Sequence, residues 1–340
     1  MKTIVSDLHL SESTIKPRRQ IAEFHQKLDE EFQKFLLSGT PLHSIVCPGC
    51  GYRNMAPVFQ KSGLNYLECS DCDSVYSSPR PTAEALDSFY RASEAIRYWH
   101  HVLLPDTQEN RLTKIIKPRA RWVFGAMDRY QPKCAHILDI GQHSALLVGE
   151  LLQAGGGNFQ ITVAGQLADL EEGFPDSPNL KILPSPISEL SQLEPADIVL
   201  AFDALDRAQD LDELMASVHV ALKPQGLMLT ASTLISGFDL QMLWSESEGI
   251  YPPERLNLLS ADGMLKLCKR HGFEILEFST PGMFDVEIVQ RAILKNSDAA
   301  WPKFLKTILT RSDSNVLEGF QEFLQKYRLS SFARLALRKI

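Results

Sequence analysis

Four cysteines carry the plainest chemistry in this sequence. Cys47-Pro-Gly-Cys50 and Cys69-Ser-Asp-Cys72 are two CxxC pairs with 18 residues between Cys50 and Cys69. A CxxC pair followed by a turn residue lets backbone amides point at the thiolate sulfurs, and two such knuckles complete a tetrahedral four-sulfur shell. Thiolates without histidine suit zinc or an iron–sulfur centre, and the ribbon spacing favours zinc. A redox disulfide would need its CxxC to follow a strand and open a helix, which neither pair does. The expected metal ligands are therefore Cys47, Cys50, Cys69 and Cys72, around one structural Zn2+. A closed shell has no open position for substrate, so catalysis must sit elsewhere. Cys134 and Cys268 fall in apolar contexts and read as plain buried thiols.

Composition narrows where that chemistry operates. The chain has 340 residues, 44% hydrophobic and 23% charged, with a net charge of −7. That suits a soluble globular protein with room for two domains. The acidic balance and the lack of a dense basic run argue against nucleic acid as a partner. Lys16-Pro-Arg18-Arg19 and Lys117-Pro-Arg119-Ala-Arg121 read as solvated helix faces. No apolar stretch approaches the roughly 20 residues of a membrane span, and Asp7 interrupts the N-terminus before an export signal can form. The expectation is a cytoplasmic protein without a membrane partner.

The elements that must position the chemistry follow from punctuation and periodicity. Residues 1–42 read as a loose arm (1–15) and an amphipathic helix from Lys16 to Leu37, with Ile21, Phe24, Leu28, Phe32, Phe35 and Leu36 at helical spacing. Residues 43–79 form the ribbon, whose two short strands flank a Lys61-Ser62-Gly63 turn. Residues 80–130 read as a helical linker or lid, in which Thr82 caps a helix carrying Leu86, Phe89 and Tyr90. From 131 to 340 strands alternate with helices: His136–Gly141, Gln160–Gly165, Leu180–Ser185, Asp197–Asp203, Gly226–Thr233 and Phe273–Thr280. Ser144, Asp210 (with Glu213) and Ser260 are the helix caps. Helical stretches near Ala299–Leu309 and Asn315–Tyr327, within an insertion at about 296–328, precede a last strand, Ser331–Arg338. Short apolar strands alternating with helices imply an α/β fold with a doubly wound, mostly parallel sheet.

At the end of the first such strand, Ile137-Leu138-Asp139-Ile140-Gly141-Gln142-His143-Ser144-Ala145 occupies the default binding crevice of an open parallel sheet. Here the sequence resembles class I S-adenosylmethionine-dependent methyltransferases with an N-terminal four-cysteine zinc ribbon. Further passages carry the likeness: Phe202-Asp-Ala-Leu-Asp206-Arg207, Leu222-Lys-Pro-Gln-Gly226, Ser236-Gly-Phe-Asp239, Pro252-Pro-Glu-Arg255-Leu-Asn257, and Ser279 through Val289. The resemblance implies a Rossmann-like, seven-stranded sheet whose last strand is antiparallel. It also implies S-adenosylmethionine as cofactor, lying over Asp139–Ala145, with Asp139, Gly141, His143, Gln166, Asp203 and Asp206 in the binding set.

The sequence departs from that family at four informative places. His143 and Ala145 stand where the second and third glycines of the cofactor loop belong, and Gln166 replaces the acid that would grip both ribose hydroxyls. Asp206-Arg207 stands for Glu-His, and Arg255 for the His of Pro-Pro-x-His, so two imidazoles are lost and an obligate cation gained. Two readings stay open: methyl transfer to a small molecule, such as a sugar or nucleotide-linked sugar, or a catalytically inactive binding subunit serving a partner enzyme. His143 either stacks on the adenosine or plugs its site. For an active enzyme, Tyr90, Tyr98, Trp99 and Trp244 are candidates for closing the pocket. His100, His101, Arg111 and Arg255 are candidates for holding an anionic acceptor, with Arg255 and His101 the catalytic candidates. The alternatives are packing for the aromatics, a solvated helix end for the His pair, and a surface ion pair of Arg255 with Glu254 or Asp262.

Overall fold

The computed structural model describes residues 11–141, 144–165, 173–296 and 299–340. Helix α1 (Arg18–Leu37) leads into a ribbon of β1 (Met55–Lys61), β2 (Leu64–Cys69) and β3 (Val75–Ser77), then α2 (Ala83–Ala92). A run of helical turns ends in α3 (Lys117–Tyr130). The α/β portion follows as β4 (His136–Asp139), α4 (Ala145–Gly155), β5 (Gln160–Gly165), β6 (Leu180–Pro184), β7 (Ala196–Phe202), α5 (Leu211–Ala221) and β8 (Leu222–Thr233). After a long excursion containing β9 (Asn257–Leu258) come α6 (Ala261–Arg270), β10 (Phe273–Ser279), three helices α7 (Asp285–Lys295), α8 (Lys303–Arg311) and α9 (Ser314–Lys326), and β11 (Phe332–Lys339).

Seven strands lie in the order β10-β11-β8-β7-β4-β5-β6, and β11 runs antiparallel to both its neighbours. The buried central strand explains why the sequence reads as a near-continuous apolar run. In β7, Val199 and Ala201 face a layer built with α5 and α6, while Ile198, Leu200 and Phe202 face α3 and α4. This two-sided burial is what parallel strands require. Edge strand β6 has no buried residue and mixes exposed with half-buried positions instead.

The predicted caps mostly hold. Thr82 accepts from Ala85 N at 3.3 Å, Asp210 from Asp212 N and Glu213 N, and Ser260 from Gly263 N at 2.8 Å. Ser144 is the exception, because its own backbone is already near-helical and its side chain caps nothing. Two further expectations are corrected. Residues 11–15 are not loose: Ser11 and the Glu12 amide both bond Glu287, and Glu12 pairs with Arg291 at 2.7 Å. The helix α7 was unforeseen, since Val286-Glu-Ile-Val reads as a β-branched run. Its first turn is held instead by Gln321, whose Oε1 accepts from Val286 N at 3.0 Å.

The ribbon is fused to the sheet domain. Its hairpin turns at Ser62-Gly63, both left-handed (φ 49° and 84°), and its outer strand β3 pairs antiparallel with β9 from the distant excursion. Arg80 is wholly buried at that seam. It donates to Ser77 O (2.9 Å), Asn257 Oδ1 (2.9 Å) and Leu256 O (3.1 Å). Asn257 in turn donates to Leu205 O and Ala208 O, in the turn after β7. One arginine and one asparagine thus couple the ribbon to the sheet's C-terminal edge. Helix α1 closes the arrangement by laying Phe24, Leu28 and Phe32 against Tyr66, Val75, Leu86 and Phe89.

Candidate active site

At the C-terminal edge of β7 and β8 lies a cavity of about 730 Å3. Its floor includes Asp203 and Thr233, its walls Trp99, Arg111 and Arg119, and its roof Asp239, Tyr251 and Arg255. The helical run between α2 and α3 shapes one wall through two π-turns, Trp99–Leu103 and Leu112–Ile116. Such turns shift the side-chain register within a helix and recur at functional sites. Here they accompany Trp99 and Arg111 onto the same wall, where the Arg111 guanidinium lies over the Trp99 ring at 5.2 Å.

Asp203 ends β7 in a left-handed conformation (φ 58°, ψ 12°). Asp is one of the few side chains that adopts this conformation readily. Its carboxylate is a third exposed and lies 3.5 Å from Arg119. Asp206 is different. It is fully buried, accepts from Ser232 and from Thr233 N at 3.1 Å, and forms an ion pair with Arg255 at 3.4 Å. Burial raises its pKa and Arg255 works against that rise. Among the described residues Arg255 therefore carries no surface ion pair. It is held by Asp206 and the Glu254 carbonyl (3.1 Å) and lies over the Tyr251 ring at 5.0 Å. Burial opposes its charge, but Tyr251, Asp206, Asp203 and Glu254 together hold its pKa above the ordinary arginine value.

At the cofactor loop, Asp139 is fully buried and its Oδ1 accepts from Gly141 N at 2.8 Å. A side chain on Gly141 would meet Asp139 Oδ1 at 3.0 Å and the Phe202 backbone at 3.1 Å. The glycine is thus needed for close approach to β7, with Asp139 bracing the turn from beneath. Ala145 begins α4 and is buried. Gln142, His143 and Gln166 lie outside the described residues. The braced turn and the half-buried strand-end acid are the features a cofactor loop needs at this edge, so the residues present fit S-adenosylmethionine.

Other candidates divide by position. Trp99, Arg111 and Arg255 line the cavity. Tyr90 lies beneath Arg207 at 4.2 Å, Tyr98 donates to Glu23 at 3.2 Å, and Trp244 packs edge-on to Phe59. All three belong to the aromatic cluster under α1. His101 is exposed on the outer side of its π-turn. The two basic clusters divide: Arg18, Arg19 and Lys117 are exposed as expected, whereas Lys16, Arg119 and the exposed Arg121 line the cavity.

Several wall residues escaped the sequence reading, Tyr251 among them. Asp239 was quoted only for its resemblance, and Arg119 only as part of a solvated face. His25 looked like one more polar position on an amphipathic helix. It lies against Tyr251 at 4.8 Å. Burial, then Lys16, Lys61 and Arg255, push its pKa down to about 4, so the imidazole is neutral at pH 7. Arg334 left a signal, a charge inside the otherwise apolar Ala333–Leu337 run.

The cysteine cluster lies apart. All four sulfurs fall within 4.8 Å of one another, with Cys47–Cys72 at 3.5 Å and Cys50–Cys69 at 3.4 Å. A tetrahedral zinc with bonds of about 2.3 Å needs sulfurs roughly 3.8 Å apart, so the set fits. Both knuckles turn through left-handed residues, Gly51 (φ 80°) and Asp73 (φ 55°).

Comparison with known proteins fixes the class that this sheet and crevice define. The family model of a methyltransferase domain matches residues 21–277. The chain belongs to that family and, with its strand order, to the class I S-adenosylmethionine-dependent methyltransferases. Among solved structures it is similar to the Burkholderia thailandensis 1,6-didemethyltoxoflavin-N1-methyltransferase, with 12% identity over 83% of this chain and 98% of that one (TM-score 0.47). It is also similar to an O-methyltransferase from a trans-AT PKS multienzyme of Brevibacillus brevis, with 12% identity over 69% and 75% (TM-score 0.45). A third is Haemonchus contortus phosphoethanolamine N-methyltransferase 2, with 19% identity over 64% and 51% (TM-score 0.41). No match is found among the curated proteins. Among the described residues no helix is long and apolar enough to cross a membrane.

Proposed function

We propose that this protein transfers a methyl group from S-adenosylmethionine to an anionic small-molecule acceptor, such as a phosphate- or nucleotide-linked sugar, enclosed in the cavity beside Asp203. The observation that carries this reading is the cavity itself. It opens at the carboxyl edge of a doubly wound sheet, where ligands of such sheets bind. Arg111, Arg119 and Arg255 on its walls suit a negatively charged acceptor.

When bound, the cofactor supplies an electrophilic methyl group. Asp139 and Gly141 shape the loop beneath it, and Asp203 marks the boundary between cofactor and acceptor. Methyl transfer is an in-line displacement, so the chain's main task is to hold the acceptor at near-attack distance in a dry pocket. Trp99 and Tyr251 exclude water there. His25 stays neutral at pH 7 and is available to accept a hydrogen bond from an acceptor hydroxyl. Arg255 acts as a positioning residue, locked to Asp206 and holding the Tyr251 wall.

Calorimetric titration of the purified chain with S-adenosylmethionine tests the reading. Saturable binding is expected, and Gln166→Glu should tighten it by about 3- to 10-fold, because a carboxylate accepts from both ribose hydroxyls. Absence of binding at millimolar cofactor would overturn the proposal and favour an inactive binding subunit. We assign the four cysteines, on the fit of their sulfurs, to one structural zinc that keeps the ribbon folded and the Arg80–Asn257 seam in place.

A further inference from the structure

Arg334 is the cavity's unexplained charge. It lies in β11, in register with Ala231 of β8 and, through it, with Phe202 of β7. These three residues form one rung on the sheet face that α3 covers. Arg119 of that helix sits over the Phe202 ring at 4.5 Å, and Arg334 sits over Trp122 at 5.1 Å. Two guanidiniums thus stand side by side on two aromatic rings at the cavity wall. Arg119 has Asp203 as its partner. Arg334 has none among the described residues. It is only 7% exposed, and its Nε is buried without a hydrogen bond. Glu277 attracts it from a distance but is already committed to Trp122 Nε1 (3.0 Å), Tyr130 Oη (3.1 Å) and Arg129. Burial, and the like charge of Arg119, push the pKa of Arg334 down to about 10, which still leaves it cationic at neutral pH.

An isolated buried cation is expensive, and natural chains keep one when something else neutralises it. We infer that Arg334, with Arg119 beside it, is a specificity-determining subsite for an oxyanion group, phosphoryl or carboxylate, carried by the methyl acceptor. A guanidinium fork presents paired N–H donors that match either group. The aromatic rings beneath hold both guanidiniums at the wall. This inference rests on the reading of the cavity as the acceptor site, and it names the chemical handle by which the acceptor is recognised.

Thermal unfolding of the full chain in phosphate-free buffer tests it, with inorganic phosphate and acetate added separately to wild type, Arg334→Met and Arg334→Lys. A ligand that binds only the folded state raises the midpoint in a saturable way. Wild type should rise with phosphate, with acetate, or with both, and the anion that acts identifies the handle. Arg334→Met should melt no lower than wild type without anion, because it loses an unpaired charge and keeps the packing on Trp122, and it should not respond to either anion. Arg334→Lys should respond weakly. Cofactor affinity, measured in parallel by calorimetry, should be unchanged in both variants. The inference is overturned by an Arg334→Met that still responds like wild type, or by a wild type that responds to neither anion. An Arg334→Met that melts far lower would make the arginine structural. A fall in cofactor affinity in that variant would assign the guanidinium to the cofactor instead. Failure of wild type to bind S-adenosylmethionine would sink the methyltransferase reading separately, since the anion response is measured without it.

Discussion

Stripping the metal from the cysteine cluster, or replacing Cys72 with serine, is expected to unfold the ribbon and to weaken the cavity some distance away. Structural zinc sites of this kind contribute about 10–16 kcal/mol of apparent binding free energy near neutral pH. A segment of this size cannot bury enough apolar surface to replace that contribution. The damage should spread along two connections. Ser260, the cap of α6, donates to the Cys72 carbonyl, and its amide donates to Ser74 Oγ at 3.1 Å. Arg80 and Asn257 tie β3 to the turn after β7. Loss of the ribbon would leave Arg80 and the ends of that turn without these partners. Elemental analysis should find one zinc per chain in wild type and none in Cys72→Ser. The variant should unfold at a markedly lower temperature and bind S-adenosylmethionine more weakly. Iron in the purified protein, or an unaltered midpoint after complete metal removal, would contradict the assignment.

How far the site could be read from sequence follows from the kind of signal each part leaves. The sheet was legible because parallel strands buried on both faces read as short apolar runs between caps, and all seven appear within a few residues of their expected bounds. The cysteine pairs were legible because metal ligation demands residue type and spacing together. The cavity walls were not, because they are assembled across the chain. His25 comes from α1, Arg119 from α3, Asp239 from the excursion after β8, and Arg334 from the last strand. Nothing local in Phe24-His25-Gln26 separates a pocket imidazole from a solvated one. For Tyr98 and Trp244 sequence left pocket and packing both open, because aromatics look alike either way, and both pack in the cluster under α1. The alternative reading of Arg255 gave it a partner nearby in sequence, Glu254 or Asp262, but its ion-pair partner is Asp206, in the turn after β7.

Replacing Asp239 with asparagine is expected to stabilise the protein above neutral pH and to flatten its dependence on pH. Asp239 and Asp285 are both buried where the short helix Phe238–Leu243 meets α7 and the start of β11. Asp285 is saturated with donors: Ser331 N at 2.7 Å, Ser330 Oγ at 2.7 Å and Gln321 Nε2 at 2.8 Å. Its carboxylate is the charge that faces Asp239. Asp239 lies beside that charge with its Oδ1 buried and unbonded. Burial first, and then Asp285, push its pKa up to about 7 from an ordinary 3.8. Below the unfolded pKa both states are protonated and no penalty exists. As pH rises from about 4 to about 7, the unfolded chain gives up this proton while the folded chain retains it, so stability falls through that window and levels off above it. At about 1.4 kcal/mol per pKa unit the penalty reaches at most about 4 kcal/mol. Asp239→Asn removes the charge and keeps the shape, so it should recover about 1–3 kcal/mol at pH 8 and almost nothing at pH 4. Denaturant titrations of both proteins across this range isolate the effect, since every other carboxylate is common to the pair. Parallel stability curves would show that Asp239 ionises at its ordinary pH. Curves that converge towards low pH would show that a wall of the cavity holds a proton at pH values where an exposed aspartate has lost it.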